Sequence, residues 1–189
     1  MSIDGNDKAS YFRLWLWILA SVLSIASFPT SARENIPHFW QGAMEKHVTS
    51  SINHYIGHKA TSEFFYKGLL VDQIFSGFDI TRKTVAIHKN IYLLSGWRNQ
   101  DADNQSAVVV TRSGHVLLAA VGTMLVRSNR ITPVIAVFVR DRKNLFYLSA
   151  IREWIPHRYH GYLLRLYNLN CANHNKKWLI TNCPLHGMR

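Results

Sequence analysis

Apolar side chains at every fourth position predict a helix in the first third of the chain. Five residues share this spacing: Trp40, Met44, Val48, Ile52 and Ile56. On an α-helix they form one stripe, which is typical of a helix that packs on a core. We expect this helix to run from about Phe39 to His58. The following apolar stretch, Glu63–Ile74, fits either a short helix or a strand.

From residue 84 onward, short runs of β-branched and aromatic residues alternate with turn residues. These runs predict strands at Thr84–His88, Ile91–Ser95, Ala107–Thr111, His115–Val121, Pro133–Val139 and Leu145–Ser149. The connections between them are short, and close turns join antiparallel neighbours. The sequence therefore predicts an α+β fold, with an N-terminal amphipathic helix packed on a five- to six-stranded antiparallel sheet.

The N-terminal region has the features of an export signal. Leu14–Phe28 is an uncharged run of 15 residues, and a helix of that length spans ~22 Å, short of a ~30 Å hydrocarbon core. Small residues at Thr30 and Ala32 suit a signal peptidase. We expect residues 1–32 to be a signal peptide or, alternatively, a single-pass membrane anchor. Residues 33–189 then form a single extracytoplasmic domain, periplasmic or secreted.

The two cysteines agree with export. Cys171 and Cys183 both lie near the C-terminus, and an even number of cysteines in an exported chain favours a disulfide. A bridge between them would contribute ~3 kcal/mol of stability. A nucleophilic pair of Cys171 with His174 is disfavoured, because an oxidised cysteine cannot attack a substrate.

The chain is strongly basic. Its 22 Lys and Arg residues exceed its 11 Asp and Glu residues, which gives a formal net charge of +11. A charge of this size attracts anionic partners. An exported chain meets little nucleic acid, so we expect an acidic protein partner and no nucleic acid. An anionic membrane surface is the other candidate.

A long polar loop is predicted between two of the strands, from Gly96 to Ser106. It carries Trp97, Arg98, Asp101 and Asp103, and aromatic and Arg residues in loops are common recognition elements. We expect these four residues to bind a partner protein, with Arg158 and Tyr159 as a second patch. An ordinary solvated loop and a cation site at the two aspartates are the alternatives, although an EF-hand would need a Gly and a distal Glu that the loop lacks.

Signals for catalysis and metal binding are weak. His54 and His58 are four residues apart, a spacing that can present two ligands to one metal. No third ligand accompanies them, so they are weak candidates, and no cofactor is expected. The sequence contains no G-x-S-x-G, P-loop, G-x-G-x-x-G or H-E-x-x-H motif. We therefore expect a protein that is not an enzyme.

These features together suggest a periplasmic binding protein that neutralises or inhibits a partner, such as an immunity protein or an inhibitor of a cell-wall-degrading enzyme. The order of Tyr92–Ser95, a polar loop, Ala107–Val110 and Gly114–Val116 resembles the sheet of periplasmic lysozyme inhibitors. The loop lacks the Cys-flanked His of that family, and a basic lysozyme would repel this basic chain. The alternatives are a membrane-anchored component of a secretion or transfer system and an enzyme acting on wall glycan or lipid.

Truncation of Trp97 tests the predicted recognition loop. If Trp97 anchors a partner, Trp97→Ala should weaken binding by at least ~2 kcal/mol, because buried aromatic anchors carry much of an interface's energy. Calorimetric titration of the purified partner measures this difference. Unchanged affinity would remove the loop from the interface.

Overall fold

The computed structural model describes residues 36–61, 64, 68–79, 82–98, 101–127, 130–155, 159 and 161–170. All of them belong to the compact unit Ile36–Arg189. The predicted leader, residues 1–32, lies outside these residues, as does the predicted disulfide between Cys171 and Cys183. No helix among the described residues is long and apolar enough to cross a membrane.

The described elements are three α-helices, a 3₁₀ helix and eight strands. In chain order they are α1 Gly42–Ile56, β1 Ala60–Thr61, β2 Gly68–Leu69, α2 Leu70–Ser76, β3 Lys83–His88, β4 Ile91–Arg98, β5 Asp101–Thr111, β6 Val116–Arg127, β7 Arg130–Val139, the 3₁₀ helix Arg142–Tyr147, α3 Leu148–Trp154 and β8 Leu163–Asn168. Strands β1 and β2 form a small antiparallel ribbon, and the other six form one sheet in the order β3-β4-β5-β6-β7-β8. The predicted α+β class is confirmed, and the sheet has six strands, within the predicted number of five to six.

The sheet is mixed, so the prediction of a purely antiparallel sheet is wrong at one edge. Strands β3 to β7 are a continuous antiparallel meander, but β8 pairs with β7 in parallel. The predicted strand Leu145–Ser149 instead lies in the 3₁₀ helix and α3. Because these helices cover one face of the sheet, the chain returns to the starting end of β7 before β8 begins. A short apolar run does not by itself distinguish a strand from a helix.

The predicted amphipathic helix is present and packs as expected. Val48, Ile52 and Ile56 of α1 are fully buried, while Trp40 and Met44 pack at the margin of the same core. The helix ends at Ile56 because Gly57 adopts a positive φ of 64°, a conformation that glycine tolerates without steric cost.

Both faces of the sheet are buried. In β5, Val108 and Val110 join the core beneath α1 and α2, whereas Ala107 and Val109 join a second core beneath the 3₁₀ helix and α3. All four have no exposed surface. This double coverage explains why the central strands read as continuous apolar runs, since alternation is expected only where one face meets water.

Close packing between α2 and β5 predicts the effect of a single methyl group. Gly77, which follows α2, has an ordinary helical φ of −73°, so alanine would be expected to stabilise it by ~0.4–1 kcal/mol if space allowed. A Cβ there would overlap the Ser106 side chain and lie 2.8 Å from its backbone nitrogen. We therefore expect Gly77→Ala to destabilise the protein by ~1–3 kcal/mol.

Urea unfolding of Gly77→Ala measures the change in the free energy of unfolding. The double variant Gly77→Ala with Ser106→Gly serves as the control, because it removes the side chain that the added methyl group would strike, and it should regain part of the loss. A single variant at least as stable as the parent would contradict this packing.

Candidate functional site

One end of the sheet gathers cations from four separate segments. Strand pairing places the β3–β4 turn, the β5–β6 turn and the end of β7 side by side, with the end of β8 next to β7. The loop after α1 joins this end, because a shared cleft brings Lys59 beside Arg140. We call this surface the basic end, and it comprises residues 54–59, 88–91, 111–116, 139–143 and 168–170.

The basic end is positive by a wide margin. Its six cationic side chains are Lys59, Lys89, Arg112, Arg140, Arg142 and Lys143, and its one carboxylate is Asp141. Outside these segments, the described side chains comprise seven Lys or Arg and five Asp or Glu residues. The positive charge of the described chain is therefore concentrated at this end.

The two hairpin turns of the basic end are held against each other. Asn90 has a positive φ of 60° and Gly114 one of 83°, which allows both connections to be tight. The backbone N–H of Arg112 donates to the carbonyl of Asn90 at 2.7 Å, and the Arg112 guanidinium lies 3.4 Å from the Tyr92 hydroxyl. The backbones of the two turns that carry Lys89 and Arg112 are therefore fixed to each other.

Arg140 connects three elements at this end. Its Nε donates to the Tyr55 carbonyl at 2.5 Å and its Nη2 to the His54 carbonyl at 3.3 Å, so it caps the C-terminus of α1. Its Nη1 donates to Asn170 Oδ1 at 3.2 Å, and the Asn170 amide returns a hydrogen bond to the Arg140 carbonyl at 2.8 Å. The guanidinium is therefore fixed in place.

The buried hydroxyl of Tyr55 adds further hydrogen bonds between α1 and the sheet, beside Arg140; we call this contact the junction of Tyr55 and Arg140. The hydroxyl donates to the Leu117 carbonyl at 2.8 Å and accepts the backbone N–H of Arg140 at 3.2 Å. Burial raises the pKa of Tyr55 to about 12, despite the opposing effect of Arg140. This phenol stays protonated at physiological pH and serves to join α1 to the sheet.

The opposite end of the sheet carries the predicted recognition residues, but as a hairpin tip. Strand β4 continues to Arg98 and β5 begins at Asp101, so the prediction of a long loop from Gly96 to Ser106 is wrong. Pairing shifts register between Trp97 and Arg98, which leaves a bulge on β5. Backbone hydrogen bonds can extend a strand through polar residues. The hydropathy pattern therefore placed the end of β4 too early, at Ser95 instead of Arg98.

The structure places Trp97 and Asp103 on this hairpin tip and buries Tyr159 behind it. Trp97 is half-buried, and the Lys83 ammonium lies 5.9 Å from its ring centre. Tyr159 is only 1% exposed, and its hydroxyl donates to the Asp103 carbonyl. Tyr159 thus supports the tip from the core, whereas Arg158 lies outside the described residues. A partner-binding role for the tip stays a prediction.

The histidines are arranged differently from the predicted pair. His58 lies beyond the end of α1, so it does not share a helix with His54. His47 instead meets His115 across the fold, with ring centres 5.6 Å apart. Among the described residues, no group of three or more His, Cys, Asp or Glu side chains could hold a metal. Two imidazoles alone fall short of the four ligands of a structural zinc site.

Comparison with known proteins adds no family to this picture. No family model, no curated protein and no solved structure matches the chain. The likeness to the strand pattern of lysozyme inhibitors therefore stays a resemblance of pattern. The two ends of the sheet, the basic end and the Trp97 hairpin tip, are therefore the candidate functional surfaces.

The raised pKa of Tyr55 predicts a specific loss of stability in alkali. The unfolded phenol ionises near pH 10 while the folded one keeps its proton to about 12. Stability is therefore unaffected below pH 10 and falls by about 2–3 kcal/mol as the pH rises toward 12. Tyr55→Phe has no phenol to ionise and should not show this loss of stability at high pH. Near neutral pH, the variant should be ~1–3 kcal/mol less stable than the parent, because the Arg140 N–H and the Leu117 carbonyl lose their hydrogen-bond partner.

Unfolding free energies of both proteins between pH 8 and pH 12 test this expectation. The difference between parent and variant should shrink or reverse above pH 10. Other titrating groups are common to both chains and cancel in the comparison. A constant difference across the range would show that the hydroxyl is not buried as described.

Proposed function

We propose that this chain is a binding protein that docks an acidic protein partner through its basic end. More specifically, we propose an exported inhibitor or immunity protein that neutralises the partner it binds. The observation that carries the proposal is the collection of six cations and one carboxylate at one end of the sheet. Such a field steers an oppositely charged protein and raises its association rate.

The charge of the basic end is far from balanced by its own residues. Asp141 binds Lys143 at 2.9 Å, and the hydrogen bond from Lys143 holds the pKa of Asp141 below its usual range. A second ion pair joins Glu45 to Arg82 at 2.5 Å, away from the basic end. Because Asp141 offsets one cation of six, a complementary acidic surface would meet a large excess of positive charge.

The rigidity of this surface favours a binding role. The two turns share a backbone hydrogen bond, and Arg140 is held by three side-chain hydrogen bonds. Side chains on a fixed base lose less entropy on association than those on mobile loops.

The hairpin tip is the competing surface. It carries the half-buried Trp97 at the far end of the same strands, so a small partner would contact one end or the other. The Trp97→Ala comparison therefore ranks the two surfaces directly. A large loss of affinity there would move the interface to the tip.

Charge reversal at the basic end tests the proposal. The double variant Lys89→Glu, Arg142→Glu alters two exposed residues of this surface. Immobilised parent protein should retain acidic proteins from an envelope extract in low salt and release them above ~0.5 M salt, where charges are screened beyond ~4 Å. The double variant should lose at least ~90% of this retention, because like charges now face the partner.

A matched control carries the same change in net charge elsewhere. Arg130→Glu with Arg152→Glu alters two exposed cations outside both the basic end and the Trp97 hairpin. This control should retain the acidic proteins nearly as well as the parent. Equal losses in both double variants would mean that net charge alone is responsible, and the proposed surface would be rejected.

A further inference from the structure

The basic end contains a cleft lined by cationic and polar side chains. Its volume is about 430 Å³, and it lies between the end of α1 and the residues after β8. Polar groups line its walls at His58, Lys59, Arg140 and Asn170, while Ile56 and Leu169 supply apolar surface. None of these lining residues is acidic, so the lining itself is positively charged.

The guanidinium of Arg140 faces this cleft with its charge unneutralised by its hydrogen-bond partners. Its three side-chain hydrogen bonds go to two backbone carbonyls and an amide oxygen, all of them neutral. A guanidinium has five N–H groups, so two lie outside the bonds formed with described residues. Rigid guanidinium groups of this kind bind carboxylates through paired hydrogen bonds.

Lys59 brings a second positive charge to the same cleft. Partial burial lowers the pKa of Lys59, and the nearby charge of Arg140 lowers it further. Two like charges are thus held together where water is partly excluded, an arrangement whose free-energy cost falls when an anion lies between them. The C-terminus of α1 contributes about half a negative charge, which is smaller than the full positive charge of the Arg140 guanidinium.

We infer that this cleft is an oxyanion site in which Lys59 and Arg140 bind a carboxylate of the docked acidic partner. Asn170 and His58 supply further polar contacts at the rim. This inference depends on the proposed function for the source of the carboxylate, which is an acidic side chain or a chain terminus of the partner. The binding chemistry itself depends only on the cleft and would also suit free phosphate.

Substitution of Lys59 separates this site from the general charge of the surface. Lys59→Met removes the charge and keeps an aliphatic side chain, and Lys59→Arg restores the charge. Lys46→Met is the matched control, because it makes the same change in charge on an exposed side chain of α1 that lies outside both the basic end and the cleft. Thermal unfolding confirms that each variant is folded.

The probes are an octaglutamate peptide, acetate and inorganic phosphate. Fluorescence anisotropy should show that Lys59→Met binds the peptide ~5–10-fold more weakly than the parent, and Lys46→Met less than ~2-fold more weakly, because only the first of these two lysines lies in the cleft. Lys59→Arg should bind within ~2-fold of the parent. In NMR titrations, acetate should shift the Asn170 and His58 signals of the parent but not of Lys59→Met.

The outcomes distinguish this inference from the proposed function. Equal weakening by Lys59→Met and Lys46→Met would overturn the cleft, because net charge alone would then account for both losses, whereas the charge-reversal variants test the basic end independently. Shifts with acetate or phosphate, without peptide binding, would support an oxyanion site for free anions and overturn its assignment to a protein partner. The absence of any shift at Asn170 and His58 with all three probes would overturn the oxyanion site itself.

Discussion

The burial of both faces of the central strands is the constraint on which the rest of the structure depends. Residues 107–110 of β5 have no exposed surface on either face, so a charged side chain placed there would carry a large desolvation cost. Charged residues are consequently confined to strand ends, edges and helix surfaces. In a chain with a net charge of +11, the turns at one end of such a sheet are a natural place for cations to gather.

The junction of Tyr55 and Arg140 connects this core to the charged surface. The phenol is buried against the sheet and accepts the backbone N–H of Arg140, while the Arg140 side chain caps the carbonyls of α1. A single residue thus completes the packing of the helix and presents charge at the basic end. Because Arg140 is part of the packing of α1, its substitution would change stability together with the proposed binding. Lys59, which lies beyond the end of α1, is the better position at which to test that proposal.

Local patterns predicted the elements that depend on local physics. The stripe through Val48, Ile52 and Ile56 identified α1, and the β-branched runs identified the first five strands of the sheet. The parallel strand β8 was missed, because part of the helical crossover before it, Leu145–Ser149, was interpreted as a strand from its four apolar residues. Double coverage was also missed, although the unbroken run Ala107–Val110 is a signal for a strand buried on both faces.

The site was harder to predict, because its residues are distant in sequence. Arg112 and Arg140 come to the same end through strand register, and Lys59 joins them through the cleft beside Arg140. Hydropathy does not specify register without the partner strand. The recognition residues chosen from composition lie at the other end, where Trp97 and Asp103 share one hairpin. Clustering of cations in turn residues, at Lys89, Arg112 and Arg142, was the signal that could have indicated the basic end.

The central claim is that the topology gathers this chain's positive charge into one binding surface. Backbone NMR signals recorded while an acidic polypeptide is added test it most directly, because each amide signal shifts when the surroundings of its own residue change. The largest shifts should fall within residues 54–59, 88–91, 111–116, 139–143 and 168–170. Shifts concentrated around Trp97, or spread evenly over the whole surface, would contradict it.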